Sequence, residues 1–405
     1  MSRKPVRLAY FVTHPIQYQA PLLRRIAADP AIDLTVFFAT DYSLRTHFDP
    51  GFGREIAWDV DLLDGYHHEF LPVVGDSSKL SPLRPFNYGI VWRLLRGRFD
   101  AVWCHSYARL PHLTALVAGR LLGMKVFLRD EASFVSSNPT GARRLLKECF
   151  LKTMTRVLSG ILTIGTRNRE YYAAKGFAPD RLFRMPYAVD NDWFAARIAD
   201  AAAEREAFRT GLGLEPGRPV ALFASKLQPR KRAQDLIRAF LKIVNDPAAG
   251  HPYLLIAGDG ELRDDLRALA ADAPDGSIHF LGFRGQTELP PLYDLCDVFI
   301  LPSNTEPWGL VVNEAMNAGR PIIATTEVGS ARDLVRDGEN GFVIEPGDID
   351  ALSESLLTLF SDSGLRSRMG QKSLDIIRHW NFDADIEGLH EALRFYFGDR
   401  VPDTK

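Results

Sequence analysis

The stretch Val298–Thr325, which reads VFILPSNTEPWGLVVNEAMNAGRPIIAT, constrains the fold more than any other part of the chain. Its apolar run Val298–Leu301 predicts a buried strand. Pro307 suits the first position of a helix, where a missing N–H costs nothing, and Gly319 is a typical helix terminator. Pro321–Ala324 begins the next strand. A strand–helix–strand unit predicts a parallel sheet, and ligands of such sheets bind at the carboxyl ends of the strands.

The start of this helix is the predicted centre of the chemistry, because free N–H groups at a helix N-terminus favour anions. We expect Gly309 to let a phosphate come close to the backbone. The amides that would face it are those near Trp308, Gly309, Leu310 and Val311. Glu306 and Glu314 bracket the turn with seven residues between them. Simpler interpretations stay open for both: a surface carboxylate at Glu314, and a charge that favours the helix dipole at Glu306.

The same alternation of strands and helices recurs along the whole chain, which predicts an α/β fold with parallel sheets. The other predicted strands are Val6–Thr13, Leu34–Ala39, Ala101–Cys104, Lys125–Leu128, Leu162–Gly165, Leu182–Pro186, Val220–Ala224, Tyr253–Ala257, Ile278–Leu281 and Phe342–Ile344. The other predicted helical segments are Gln19–Ala28, Phe86–Leu95, Pro111–Leu122, Arg143–Leu158, Gln234–Asn245, Leu262–Ala271, Ala331–Arg336 and Ile349–Phe360. Residues 41–68 have no clear period, which predicts a long loop.

A length of 405 residues predicts two domains. The strand–helix pattern stops near residue 195 and restarts near residue 215, with an Ala/Glu/Arg-rich connection between. We therefore expect two doubly wound, Rossmann-like domains, at residues 1–195 and 215–375, that face each other across a cleft. Helices at about 380–397 have no strand left to cover in the second domain, so we expect them to pack back on the first.

The formal net charge of −2 conceals an asymmetry. Residues 1–195 contain 26 Lys and Arg against 18 Asp and Glu, whereas the remainder contains 23 against 33. Two interpretations of the basic half stay open. In the first, the basic half attracts an anionic acceptor or a lipid surface, and the protein would then lie peripherally on a membrane. In the second, the basic half is a solvated face without a partner. The basic segment Arg143–Leu158 has the same two interpretations.

Several classes of function are not indicated. No disulfide framework or zinc cluster is predicted by three widely spaced cysteines, Cys104, Cys149 and Cys296. The N-terminus resembles a first strand rather than a signal peptide, and no apolar stretch reaches 18 residues, so we expect a cytoplasmic protein. No P-loop or dinucleotide fingerprint is present, and we expect no nucleic-acid partner. We also expect no metal at the two D-x-D pairs, Asp59/Asp61 and Asp383/Asp385.

Further candidates follow other predicted strands, and each has a structural alternative. Lys226 and Lys231 follow Val220–Ala224 and together could neutralise a diphosphate, although such pairs are often surface charge. Gly258 and Gly260 follow the next strand and form either a ligand-approach turn or a plain tight turn. His105 ends a strand in the first half and is either functional or a structural hydrogen-bonding group. All except His105 follow strands of one predicted sheet, so we expect them to converge at one edge.

The segment EPWGLVVNE, residues 306–314, resembles the E-x7-E signature of retaining glycosyltransferases of the GT-B fold, specifically family four, the glycosyl transferases group 1. The segments SKLQPRKR, IAGDGELRDDL and FLGFRGQTELPPLYDLCDVFILPS resemble that family's basic pair, glycine turn and lead-in to the signature. The resemblance is strong from about Val220 to Glu345. It is looser in the first half, as is usual for the acceptor-binding halves of this family.

By this resemblance the second half binds a sugar nucleotide as donor substrate, and no cofactor is implied. Lys226 and Lys231 would hold the diphosphate with the amides near Gly309 and Leu310, and the glycine turn would lie beside them. Glu306 would contact the donor sugar and Glu314 the ribose. The base would lie near Phe283 and Arg284, and His105 would reach the sugar from the first half. The resemblance assigns catalytic roles to Glu306, His105 and Lys231.

The resemblance implies transfer to an acceptor hydroxyl with retention of configuration, without a metal, in the synthesis of a cell-surface polysaccharide or glycolipid. The acceptor itself stays open, either lipid-linked or a saccharide. Two features depart from the family: Lys226 stands where arginine is usual, and the loop His14–Pro21 lacks the usual glycines. Three alternatives stay open, namely a sugar-nucleotide epimerase, a phosphorylase and a non-enzymatic two-lobed sugar-binding protein. We expect alanine at Glu306 or Lys231 to reduce turnover with little loss of folding.

Overall fold

The computed structural model describes residues 4–76, 80–134 and 140–402. Its strands are β1 Val6–Val12, β2 Ile32–Phe38, β3 His47–Asp49, β4 Arg54–Ile56, β5 His68–Phe70, β6 Val73–Val74, β7 Phe86–Asn87, β8 Ala101–His105, β9 Lys125–Arg129, β10 Gly160–Thr163, β11 Leu182–Arg184, β12 Val220–Ala224, β13 Tyr253–Ala257, β14 Ile278–Gly282, β15 Val298–Leu301, β16 Ile322–Thr325 and β17 Gly341–Ile344.

Its α-helices are α1 Ala20–Ala27, α2 Ile90–Gly97, α3 Leu110–Leu121, α4 Gly141–Val157, α5 Thr166–Ala174, α6 Asn191–Ala203, α7 Arg205–Gly211, α8 Ala233–Ile243, α9 Arg263–Ala270, α10 Leu289–Leu295, α11 Leu310–Asn317, α12 Ala331–Leu334, α13 Ile349–Ser361, α14 Ser363–Ile377 and α15 Phe382–Phe397. Across the described ranges, no helix combines the length and the hydropathy that a membrane span requires.

The chain forms two compact units, each with its own sheet and apolar core. Unit 1 takes its described residues from Met1–His47, Val60–Tyr187 and Phe382–Lys405. Its seven-stranded parallel sheet has the order β11-β10-β9-β8-β1-β2-β5. Strands β2 and β5 lie on one side of β1, and strands β8 to β11 lie on the other. The strand order therefore reverses between β1 and β8, which is where open α/β sheets bind their ligands.

Unit 2 comprises Phe48–Asp59 and Ala188–Asn381. Its six-stranded sheet has the order β14-β13-β12-β15-β16-β17, and every pair is parallel. The central strands are buried along their whole length, as the continuous apolar runs predict. The order reverses between β12 and β15, so the loops after these two strands lie at the switch point of the sheet. The α/β class with two Rossmann-like sheets is thus confirmed.

Three local predictions were wrong. The signature helix does not begin at Pro307, because α11 begins at Leu310. The amphipathic segment Phe86–Leu95 is not one helix, since β7 occupies its first two residues and α2 starts at Ile90. Residues 41–68 are not a plain loop. They contain the hairpin strands β3 and β4 and the edge strand β5, and Phe48–Asp59 packs as part of unit 2.

Helix α15 is fixed to the sheet of unit 1 by a buried ion pair. Arg129, at the end of β9, donates to Asp385 at 2.9 Å, and both side chains are 2% exposed or less. Arg129 also donates to the carbonyl oxygens of Met185 and Pro186. Gly388 brings α15 against the backbone, because a Cβ there would lie 1.8 Å from the Arg184 carbonyl oxygen. The C-terminal helix is therefore an integral part of unit 1.

Candidate donor-binding site

Two loops meet at the switch point of unit 2, one after β12 and one after β15. The first carries Lys231, which ends a 3-10 turn, and the second carries Glu306. The Lys231 ammonium forms an ion pair with the Glu306 carboxylate, and these side chains are only 8% and 11% exposed. Nη1 of Arg230 lies 3.5 Å from the same carboxylate oxygen. Burial lowers the pKa of Lys231, while the charge of Glu306 opposes that effect.

This pairing differs from the independent roles that the sequence suggested for Lys231 and Glu306. A cation and a carboxylate removed from water stabilise each other. Removing Glu306 would leave Lys231 buried without this partner, whereas removing Lys231 would leave Glu306 with Arg230 alone. The expectation that either alanine substitution spares folding therefore has no support in the geometry. The two side chains form one electrostatic unit at the carboxyl edge of β12 and β15.

The glycine turn packs against the backbone on either side of Lys226. A Cβ on Gly258 would lie 1.9 Å from the carbonyl oxygen of Ser225, and one on Gly260 would lie 2.6 Å from that of Leu227. Leu227 N–H donates to the carbonyl of Asp259 at 2.9 Å. The tight-turn interpretation accounts for both glycines, since their absent side chains let the two loops touch. The turn thereby fixes the backbone on either side of Lys226.

Gly309 is required by its conformation as well as by its surroundings. It precedes α11 with φ 92°, a left-handed conformation that L side chains rarely adopt. A Cβ there would also lie 2.9 Å from the Leu301 side chain and 3.2 Å from Cγ of Glu306. The loop before α12 supports this turn, because Gly329 N–H donates to the carbonyl of Glu306 at 2.9 Å. The first turn of α11, with Leu310 and Val311, therefore starts directly beside Glu306.

Two other signature residues have side-chain partners within unit 2. Trp308 is 3% exposed, stacks on Trp380 with ring centroids 5.5 Å apart, and donates to Asn313 at 3.0 Å. Its indole is thus part of the core. Glu314 accepts a hydrogen bond from the Tyr293 hydroxyl at 2.6 Å. Burial raises the pKa of Glu314 to about 7, although that hydrogen bond lowers it.

Phe283 and Arg284, the predicted neighbours of the base, lie beside the segment Phe48–Asp59. The Phe283 ring meets the Phe52 ring edge-on at 4.7 Å, and the Arg54 guanidinium lies 5.8 Å from its centroid. Arg284 is held by Glu288 at 2.8 Å. Phe52 in turn lies under the Lys226 ammonium at 4.6 Å. A continuous series of contacts therefore joins the predicted base position to the first of the two lysines.

His105 belongs to unit 1 and lies at that unit's own switch point, at the end of β8. Gln19 comes just after the loop that follows β1, and its side-chain amide nitrogen lies 3.1 Å from Nε2 of His105. The Tyr187 hydroxyl lies 3.3 Å from the same nitrogen. The Tyr10 hydroxyl orients Gln19 by donating to Oε1 at 2.7 Å. Burial, reinforced by the positive charge of Arg129, lowers the pKa of His105 to about 3. Its imidazole is therefore neutral at pH 7.

Several contacts could not have been found by pattern. Asp49 binds Lys226, Tyr293 holds Glu314, and Gln19 holds His105, yet each lies far from its partner in the sequence. Gly329 was the one of these residues with a weak sequence signal, as a glycine within a turn-rich segment.

Of the D-x-D carboxylates, Asp59 accepts from the Thr287 N–H at 2.9 Å. Within the part of the chain that the structure describes, no group of three or more His, Cys, Asp or Glu side chains is arranged to hold a metal.

Sequence comparisons point to the same half of the chain. Residues 204–375 match the model of the family "Glycosyl transferases group 1". An alpha-D-kanosaminyltransferase from Streptomyces kanamyceticus is 26% identical over 261 residues, which are 63% of this chain and 66% of the relative. A GDP-mannose-dependent alpha-(1-6)-phosphatidylinositol monomannoside mannosyltransferase from Mycolicibacterium smegmatis is 33% identical over 236 residues, 55% of this chain and 58% of the relative. The chain thus spans about two thirds or less of these relatives' length.

Solved structures resemble the chain over nearly its full length. Anabaena HepE in complex with UDP superposes with a TM-score of 0.71 at 18% identity, covering 96% of this chain and 100% of that one. A glycosyltransferase from Rickettsia africae gives a TM-score of 0.72 at 14% identity, covering 98% and 99%. At such identities the likeness establishes the fold, which is GT-B. The part of this GT-B chain that matches the family model of the glycosyl transferases group 1 is residues 204–375.

Proposed function

We infer that the chain is a glycosyltransferase that moves a sugar from a nucleoside diphosphate sugar to an acceptor hydroxyl, with retention of configuration and without a metal. One observation carries this inference. Lys226, Lys231 and Glu306 follow the two strands at the switch point of unit 2, beside the first turn of α11. Cations and first-turn amides at a switch point form a site for a diphosphate.

The chemistry follows from where charge develops. Breaking the anomeric C–O bond leaves an additional negative charge on the departing diphosphate and oxocarbenium character on the sugar. Lys226, Lys231 and the first-turn amides of α11 would stabilise the diphosphate, because aimed donors in a partly buried site require little reorganisation. Glu306 would contact the donor sugar and hold Lys231 in place. We assign Glu306 no role as a covalent nucleophile, since its carboxylate is already engaged by two cations.

The remaining roles are proposed on the same basis. Unit 2 would bind the donor, with Phe283 and Arg284 near the base and Glu314 near the ribose. Unit 1 would bind the acceptor, and neutral His105 would contact the donor sugar. Two of the relatives have names that specify a lipopolysaccharide or a glycolipid: a lipopolysaccharide core biosynthesis glycosyltransferase from Rhizobium meliloti and the mannosyltransferase from Mycolicibacterium smegmatis. We therefore propose a role in glycolipid or polysaccharide synthesis.

The first test is nucleotide binding. Related proteins bear names or titles that specify GDP-mannose, UDP and UDP-glucose, so thermal shift should be measured with UDP, GDP, ADP and dTDP and their glucose and mannose conjugates. A ligand that binds only the native state raises the melting temperature by mass action. The proposal predicts a shift with one nucleotide class and slow hydrolysis or transfer of its sugar conjugate. A protein that binds free sugars but no nucleotide would instead support the two-lobed sugar-binding alternative.

The enzyme alternatives predict different products. An epimerase converts the nucleotide sugar into its epimer without an acceptor, and a phosphorylase transfers sugar to inorganic phosphate. Mass spectrometry and NMR of the products formed from the binding conjugate, with phosphate and with candidate saccharide or lipid acceptors, separate these outcomes. An α-linked product from an α-linked donor would support retention, and an inverted product would contradict it.

We also propose that unit 1 associates peripherally with anionic membranes, on the cytoplasmic side. Helix α4 exposes Leu145 and Leu146 by 65% and 71%, and Arg143 and Arg144 beside them are exposed too. Exposed leucines next to arginines suit the interface of an anionic bilayer. Co-sedimentation with phosphatidylglycerol vesicles at low salt should be strong for the native protein and weak for Leu145→Glu/Leu146→Glu. Equal binding by both proteins, or by neither, would contradict the proposal.

A further inference from the structure

The segment Phe48–Asp59 is a strap that lies on unit 2 although its chain neighbours on both sides belong to unit 1. It contacts Lys226 and Phe283, which the proposed function assigns to the donor, and residues just after Arg284. At one end, both oxygens of Asp49 lie 2.9 Å from Nζ of Lys226. At the other end, Asp59 accepts from the N–H groups of Gln286 and Thr287 at 3.2 and 2.9 Å. Between these ends the Phe52 ring meets Phe283.

The strap is shaped to hold Lys226. The lysine side chain crosses Gly51 so closely that a Cβ there would lie 2.7 Å from both Cδ and Nζ. Its ammonium lies 4.6 Å above the Phe52 ring, within the range of a cation–π contact. The opposite anchor is equally close, since a Cβ on Gly285 would lie 2.5 Å from an Asp59 oxygen. These fits at glycine positions show a built contact rather than a casual surface pair.

The Asp49 carboxylate engages the Lys226 ammonium with both of its oxygens. Burial raises the pKa of Asp49, but the hydrogen bonds from Lys226, Gly51 and Phe52 outweigh it and hold the pKa below its usual value. Asp49 is therefore an anion at pH 7. The Lys226 side chain remains 30% exposed. A cavity of about 620 Å³ lies between the strap and the turn 259–263, and the Phe52 ring that contacts Lys226 is part of its lining.

We propose that Asp49 is an internal competitor for the donor: it holds Lys226 until the diphosphate of a nucleotide sugar displaces it. This rests on the proposed function, because it needs Lys226 to bind a diphosphate. An ion pair that is partly exposed is weak enough to be exchanged for a doubly charged group. The strap would thereby lower the affinity for the donor and keep Lys226 aligned at the site between turnovers.

The test is the affinity for UDP, with GDP measured in parallel, by isothermal titration calorimetry. Asp49→Asn keeps the size of the side chain but removes the competing charge, so it should bind UDP about three- to tenfold more tightly than the native protein. Asp350→Asn is the matched control, because Asp350 also forms an ion pair with one lysine of unit 2, Lys242. The control should bind UDP with the native affinity.

Two further measurements tie the effect to Lys226. On a Lys226→Ala background, Asp49→Asn should no longer tighten binding, because the shared cation is gone. The affinity for the nucleoside uridine, which lacks a diphosphate, should be the same in the native and Asp49→Asn proteins. Unchanged or weaker UDP binding by Asp49→Asn would overturn the proposal, as would an equal gain on the alanine background. If no nucleoside diphosphate binds the native protein, the proposed function itself fails and this inference falls with it.

Discussion

Replacing Glu306 by alanine gives the sharpest test of the site, because it should leave Lys231 buried without its partner. The lysine side chain is 8% exposed, and an isolated charge at such a position neutralises itself by losing its proton. Removing the proton at pH 7 from a lysine with an ordinary pKa of about 10.4 costs about 1.4 kcal/mol per unit, or roughly 4.6 kcal/mol in all. That value is the upper bound of the destabilisation. We expect about 3–4 kcal/mol, since water will partly solvate the ammonium.

The same argument predicts a dependence on pH. In Glu306→Ala the folded protein holds Lys231 with a lowered pKa, so the unfolded chain binds the proton more tightly. Stability of this variant relative to the native protein should then rise with pH up to about 10, by as much as about 1.4 kcal/mol per unit. Lys231→Ala should cost less than Glu306→Ala, because Arg230 remains 3.5 Å from the Glu306 carboxylate.

Differential scanning calorimetry between pH 7 and 9 measures both effects on the transition of unit 2. At about 2–4 °C per kcal/mol for a unit of this size, Glu306→Ala should melt roughly 6–16 °C below the native protein at pH 7, and the difference in melting temperature should narrow at pH 9. The double variant should be more stable than Glu306→Ala, since no buried charge is left unpaired. Equal melting temperatures, or a gap that is constant with pH, would refute the view that these side chains form a buried pair.

Two other substitutions test the structure away from this pair. In urea denaturation, Asp385→Ala should destabilise unit 1 by about 3–5 kcal/mol, because it leaves the buried charge of Arg129 without its carboxylate partner. The control Asp383→Ala changes a side chain that is 71% exposed and should cost about 1 kcal/mol or less. Equal costs would contradict the assignment of Arg129 and Asp385 as a buried ion pair. The raised pKa of Glu314, about 7, means that its contribution to stability is complete below its unfolded pKa near 4.5 and is lost as pH rises through 7. The free energy of unfolding of the native protein should therefore fall between pH 5 and 8 by about 2–3 kcal/mol more than that of Glu314→Gln. If the two proteins show the same dependence of unfolding free energy on pH, Glu314 is not buried.

Much of the fold was predictable because buried parallel strands are continuous apolar runs. Val220–Ala224 and Tyr253–Ala257 have the predicted bounds, and each is buried at every residue. The strand order was not predictable in this way, since the pairing of β12 with both β13 and β15 depends on contacts between distant segments. The helix start was misjudged for a related reason. Glu306 forms a bridge with Val328 in the next loop, and Gly309 is left-handed, so the helix begins only at Leu310.

Within the site, sequence predicted which residues gather but not what each one touches. Lys226, Lys231 and Glu306 follow strands of one sheet, so their common edge followed from the pattern of the chain. Asp49 could not be identified, because 177 residues separate it from Lys226 and it lies in a segment without period. A carboxylate in such a segment has no local signal of its partner. Electrostatic partners across a fold become visible only when the backbone has placed them.

Because the two lysines differ in environment, we expect only Lys226 to exchange its carboxylate partner for a ligand. Lys231 is nearly enclosed and its carboxylate is shared with a second cation, so giving up Glu306 would cost several kcal/mol. Lys226 is about one third exposed, and Asp49 holds it from a strap that has its own anchor at Asp59. A diphosphate that displaced Asp49 would leave that anchor intact and would meet a field already fixed by Lys231. In the proposed site, Lys231 would fix the local electrostatic field, and Lys226 would exchange Asp49 for the diphosphate of the ligand.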